Sequence, residues 1–100
     1  MTANLSKLNE FMKTSNYAKA EFYLYELLKD KPNDYTLNKN LGMTLLAQKK
    51  YDGALKSFEK CYFINKKDFD IILNLSFLFL KVQDHEQSIK FAEEALAIDD

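Results

Sequence analysis

Side chains able to do covalent or metal chemistry are few in this sequence and far apart. His85 and Cys61 are the single histidine and the single cysteine of 100 residues. One of each, without ligand spacing between them, cannot build a metal site of the zinc type, which draws several ligands from His, Cys and carboxylates. A nucleophilic cysteine needs a base or cation beside it. Cys61 instead shares a position, at a spacing of 34 residues, with Leu27 and Ala95, which predicts a buried structural thiol. His85 shares a position in the same way with Tyr17 and Tyr51 and is expected to pack. No glycine-rich phosphate loop is present. Glu93-Glu94 and Asp99-Asp100, like Lys49-Lys50 and Lys66-Lys67, read as solvated surface. No catalytic residue, metal site or cofactor follows, and the chain reads as a non-enzyme. What remains is hydrogen bonding. Asn40 and Asn74 are also 34 residues apart, and an amide offers both a carbonyl and an NH2 to a polypeptide backbone whatever its sequence.

Composition narrows the partners. The formal net charge is −1, and all 14 basic residues are lysines. Without arginine the chain lacks the planar fork that reads phosphates and guanine edges, and its lysines are dispersed, so nucleic acid is not expected. No basic amphipathic helix marks a membrane surface. The apolar-rich stretch from Ile71 to Val82 contains Asn74, Ser76 and Lys81 and is too short to span a bilayer. A lone cysteine and an N-terminus without an apolar signal core suggest a reducing, cytoplasmic compartment.

The elements that would position Asn40 and Asn74 are helical and repeated. Two glycines and one proline are too few for the turns of an all-β chain. Shifting the sequence by 34 aligns Ala20 with Ala54 and Ser88, Leu24 with Phe58 and Ala92, Leu28 with Tyr62 and Leu96, and Phe11 with Leu45 and Phe79. Asp34 and Asp68 coincide at the unit boundary. Apolar residues step by three or four within each unit, as in Leu37, Leu41 and Leu45, then Tyr51, Leu55, Phe58 and Tyr62. The spacing predicts helices at roughly 3–14, 17–31, 35–48, 51–64, 69–82 and 85–98. Asn16, Asp34, Asp68 and Asp84 stand at N-cap positions. Asp84 with Gln87 three residues later resembles a capping box, and Pro32 ends the first hairpin. Such short connections force antiparallel pairs. Ala20, Ala54 and Ser88 leave room at the helix crossings for bulk such as Leu8, Phe11, Leu45 and Phe79.

Asn40-Leu41-Gly42 followed by Tyr51, Ala54 and Phe58 resembles the tetratricopeptide repeat signature in its usual order. The resemblance covers the whole chain, as units of about 1–34, 35–68 and 69–100 in a single domain, and is strongest in the middle unit. The sequence departs from the family pattern in having Asn4, Asn38 and Ile72 where a tryptophan is often found, and in keeping the family's glycine only at Gly42. The resemblance implies an all-α fold of three helix-turn-helix hairpins, six antiparallel helices stacked as a right-handed α-solenoid, without a clear C-terminal capping helix. It also implies a concave groove, formed by the first helix of each unit, that binds peptide or protein.

Carried over by column, the groove would use Leu5, Asn9 and Met12, then Lys39, Asn40, Met43 and Leu46, then Asp70, Leu73, Asn74, Phe77 and Leu80. Asn9, Lys39, Asn40, Met43, Leu73, Asn74 and Phe77 are its principal contacts. Asn40 and Asn74 resemble the asparagine ladder that grips an extended backbone in long superhelices of the family; the alternative is that they fix neighbouring helices. The chaperone-binding members are similar to a cationic cup for a terminal carboxylate. Here Asn9 and Asn40 match that cup, but Leu5, Asp70 and Asn74 replace its cationic residues, and Asp70 would repel a carboxylate.

The ends differ. The first helix is polar, as an N-terminal cap should be. Ile89, Ala92, Leu96 and Ile98 leave the last helix apolar, which suggests a longer array or a face covered by a partner. The run from Ile71 to Leu80 is apolar on nearly every face, and its inner side, Leu73, Phe77 and Leu80, should meet something. The leading expectation is a non-catalytic peptide- or protein-binding module. The alternatives are a scaffold that self-assembles through the C-terminal helix, and the N-terminal recognition arm of a larger enzyme such as a glycosyltransferase or sulfotransferase.

Overall fold

The computed structural model describes residues 5–98. Asn4, Asp99 and Asp100 lie outside the described residues, as does the side chain of Leu5, an expected groove residue. Six helices follow one another: α1 (Leu5–Lys13), α2 (Tyr17–Asp30), α3 (Tyr35–Ala47), α4 (Tyr51–Ile64), α5 (Phe69–Lys81) and α6 (His85–Ile98). They pair as the three hairpins α1/α2, α3/α4 and α5/α6, and each hairpin packs on the next. Among the described residues there is no strand.

Side chains set the starts of four helices. Asn16 accepts from Lys19 N–H at 3.4 Å, Asp34 from Leu37 N–H at 2.9 Å, Asp68 from Asp70 N–H at 3.1 Å, and Asp84 from Gln87 N–H at 3.2 Å. Each satisfies a donor that the first helical turn leaves orphaned. The first helices end by a shared device. Ser15, Lys49 and Gln83 have φ of 57°, 61° and 65°, at the same 34-residue period. The next residue in each case, Asn16, Lys50 or Asp84, donates its N–H five residues back, to Phe11, Leu45 or Phe79, at 2.8–2.9 Å. This is the Schellman closure, and its left-handed residue is commonly glycine. None of the three is glycine here. Lys49→Gly should therefore raise stability by about 0.5–1 kcal/mol, because relief of left-handed strain exceeds the entropy glycine loses on folding. A lower urea midpoint for that variant would contradict it.

The core runs the length of the stack: Leu8, Leu24, Leu41, Phe58, Leu75 and Phe91 are all buried. Space at the crossings is made as the sequence predicts, since Ala20 and Ala54 are fully buried. A Cβ placed on Gly42 would lie 2.8 Å from the Phe58 ring, so the ring needs the glycine. The third hairpin solves the same crossing with polarity. Ser76 Oγ donates to the Ser88 carbonyl and Ser88 Oγ to the Ser76 carbonyl, both at 2.8 Å.

Polar ties hold successive hairpins in register. Glu21 accepts from Lys50 Nζ at 2.8 Å and from Gln48 Nε2 at 2.9 Å. The bond from Lys50 is the main cause that holds the Glu21 carboxyl below the usual range, against the effect of burial. Tyr62 donates to Glu94 at 2.6 Å. Glu94 is therefore no solvated member of a charge pair but a half-buried partner between α4 and α6. His85 departs from expectation in the opposite sense and is exposed. Tyr51, in the same column, shares a hollow with Val82 of the following hairpin; among the described residues no hairpin follows α6.

Candidate concave binding face

The first helices lie side by side. Thr44 Oγ1 is 3.3 Å from Met12 Sδ, which joins α3 to α1, and Asn74 Nδ2 is 4.0 Å from Met43 Sδ, which joins α5 to α3. A helix turns 100° per residue, so the residues of α3 and α5 that face away from α4 and α6 form one surface. Met43, Leu73, Phe77 and Leu80 stand on it, each between 43% and 50% exposed. Asn9, exposed on α1, is 34 residues before Met43 and 68 before Phe77. One row of this face thus reads Asn–Met–Phe from α1 to α5.

The amides occupy different situations. Asn74 Nδ2 donates to the Asp70 carbonyl of its own helix at 2.9 Å, and both Asn40 and Asn74 are half-buried beside the apolar residues. Lys39 is not a free cation: its Nζ lies 3.0 Å from Asp68 Oδ2, and Tyr35 OH donates to the same oxygen. Burial alone would raise the Asp68 carboxyl, but the bonds from Tyr35 and Lys39 outweigh it and hold it below the ordinary range. Burial and that carboxylate together push the Tyr35 phenol up. The triad ties α3 to the N-cap of α5 and so sets the spacing of the groove. It was not legible beforehand, because Tyr35 and Asp68 are 33 residues apart and neither is unusual for its helix position.

Asn38 is the other residue that sequence reasoning placed only as a departure from the family pattern. It is buried, and its Nδ2 donates to the Pro32 carbonyl at 3.1 Å and the Asp34 carbonyl at 2.8 Å. An amide thereby replaces a bulky ring and clamps the loop between the first two hairpins.

Cys61 is fully buried, and its Sγ lies 3.7 Å from the Tyr35 carbonyl. Burial pushes the thiol up to about 11, with Lys39 acting weakly the other way. A thiol so raised is a poor nucleophile at neutral pH. Its folded value lies above the unfolded one of about 8.5, so its contribution to stability is full below pH ~8.5 and is lost as pH rises toward the folded value. The urea midpoint should fall between those limits, and fall less in Cys61→Ala; identical slopes for the two chains would exclude the effect. Among the described residues no group of three or more His, Cys, Asp or Glu side chains could hold a metal ion, and no helix is long and apolar enough to cross a membrane.

Residues 38–68 match a family model described as tetratricopeptide repeat. Solved structures share the fold. MamA from AMB-1 is 18% identical with a TM-score of 0.82, over 89% of this chain and 49% of that one. MamA from Desulfovibrio magneticus RS-1 is 15% identical with a TM-score of 0.83, over 94% and 53%. The first TPR of Spaghetti (RPAP3), bound to the HSP90 peptide SRMEEVD, is 18% identical with a TM-score of 0.83, over 93% and 74%. The chain spans about half the length of the MamA chains it matches. No curated protein matches it.

Proposed function

We propose that this chain is a tetratricopeptide repeat module, from the match of residues 38–68 to that family's model and the fold it shares with MamA and the first TPR of Spaghetti, and that it binds a segment of another protein across the face formed by α1, α3 and α5. The observation that carries this reading is the set Met43, Leu73, Phe77 and Leu80, apolar side chains left open on one face beside two half-buried amides. Contiguous apolar surface of this kind marks an interaction site. Met43 adapts to varied side chains, while Asn40 and Asn74 offer hydrogen bonds to backbone. Asn9 extends the polar end of the row, and Lys39 shapes it through Asp68 rather than by meeting a ligand charge.

The ligand this surface suits is apolar, not a terminal carboxylate. Asp70 is exposed on the first turn of α5, and Lys39 is already neutralised by Asp68. The acidic peptide held by the Spaghetti domain is therefore a poor guide to this chain's ligand. Replacing Asn40 and Asn74 together by Ala should weaken binding roughly tenfold, at ~0.5–1.5 kcal/mol for each hydrogen bond lost. Helicity should be unchanged, since neither side chain is buried in the core. Unaltered affinity would remove the backbone-gripping role and leave the amides as helix spacers. We place the module in the cytoplasm, where the single buried thiol would stay reduced.

A second reading rests on α6, whose Ile89, Leu96 and Ile98 are exposed, Leu96 at 72%. These would join two copies into a scaffold. Light scattering over a concentration series decides it; a monomer throughout excludes self-assembly.

A further inference from the structure

A cleft of about 320 Å³ opens between α2 and α4, on the side of the stack away from the groove. Its walls are Tyr25 and Leu28 from α2 and Gly53 and Ser57 from α4, and its floor is Asn38 and Leu41 from α3. Leu41 and Met43 are two residues apart, about 200° around the helix, so this floor and the concave face are opposite sides of α3.

The same place one repeat later is filled. There Tyr62 stands for Leu28, Gln87 for Gly53, Phe91 for Ser57 and Glu94 for Lys60. Tyr62 packs edge-on to Phe91 with ring centroids 5.1 Å apart and bonds to Glu94 at 2.6 Å, above a floor of buried Ile72 and Leu75. The column of Ser57 is aromatic in both other units, Tyr23 and Phe91. The first cleft is therefore open because this unit lacks the ring its neighbours carry there. Its size is at the lower end of ligand-binding pockets, enough for one large side chain with its flanks.

Its rim is cationic. Lys56 and Lys60, four apart on α4, line the cleft, and among the described residues no carboxylate does. Neither lysine is in an ion pair among the described residues, unlike Lys29, Lys39 and Lys50. Like charges at this helical spacing repel, and an anionic partner would relieve the repulsion.

We propose that the α2–α4 cleft is a second binding site, which takes an aromatic side chain of an acidic peptide segment. The ring occupies the place that Phe91 fills one repeat on, a polar ring tip can meet the Ser57 hydroxyl, and carboxylates on either side of the anchor meet Lys56 and Lys60.

The test is amide NMR mapping with the blocked pentapeptide Glu-Glu-Trp-Glu-Glu. Saturable shifts are expected at Leu28, Gly53 and Ser57 and not at Met43, Leu73 or Phe77. Lys56→Glu with Lys60→Glu, both exposed, should keep the fold and weaken binding about tenfold or more by reversing the charge complementarity. Ser57→Phe should close the site and abolish the shifts; if it fails to fold, the lysine variant decides alone. No shifts at millimolar peptide, shifts confined to the concave face, or affinity indifferent to the lysine reversal would each overturn the proposal. Equal shifts from a uridylate oligonucleotide would overturn the assignment to peptide.

Discussion

Phe58→Ala should lower the unfolding free energy by about 3–5 kcal/mol, the range for truncating a buried aromatic residue. The ring is fully buried in the middle hairpin and fills the space that Gly42 leaves open. Native proteins have only about 5–15 kcal/mol in total, so in a chain of 100 residues the variant should be close to its folding limit. Repeat proteins are held by each unit and its interfaces with its neighbours. Here α4 touches both α3 and α5, and its weakening should cost helicity through the whole chain rather than in one third of it. The coupling to Gly42 is a sharper expectation. Gly42→Ala should destabilise the wild-type chain, because its Cβ meets the ring at 2.8–3.0 Å. With Phe58→Ala already present, the same change should be neutral or stabilising, since alanine is the better helix former by ~1 kcal/mol. Urea denaturation of the four chains measures this cycle. Additive effects would mean that the contact does not set the crossing.

Phe77→Asp combined with Asn74→Ala has the largest expected effect on function. Phe77 lies at the centre of the apolar face, half open and with Lys81 Nζ 5.3 Å from its ring. An aromatic anchor at the centre of an interface is worth 2 kcal/mol or more, roughly thirtyfold in Kd. The aspartate adds the cost of burying a charge beneath the bound segment. Because Phe77 is not part of the core, the variant should retain its helicity, and the loss should appear as faster dissociation. A loss below about threefold, which is under 1 kcal/mol, would place Phe77 outside the interface.

Much of the fold was legible because it is periodic. Helices α2 to α6 end within a residue of the bounds the apolar spacing predicts, for example 35–47 against 35–48. The four N-caps are where short polar residues precede an apolar period. The crossings at Ala20 and Ala54 followed from small residues recurring against large ones. What the period could not show were contacts between residues whose partners are set only by stacking. Glu94 read as surface because its neighbour Glu93 is also charged; only the approach of α4 to α6 brings Tyr62 onto it. His85 read as packed because Tyr17 and Tyr51 share its column, yet packing there depends on a following hairpin. The left-handed residues at Ser15, Lys49 and Gln83 gave no glycine signal at all. On the concave face the columns placed Met43, Leu73 and Phe77 together in the open, whereas Lys39 belongs to a tie with Asp68 that a column cannot reveal. The cleft between α2 and α4 is a break in the repeat at Gly53 and Ser57, and a reading that looks for recurrence passes over it.

The claim that the concave face is the working surface is tested most directly by capture from host lysate. The immobilised wild-type chain is compared with the Phe77→Asp, Asn74→Ala variant, whose folding is checked by circular dichroism. A protein retained by wild type and released by the folded variant is the predicted result, and it would name the partner. Equal retention by both chains would contradict the claim and move the binding surface off α3 and α5.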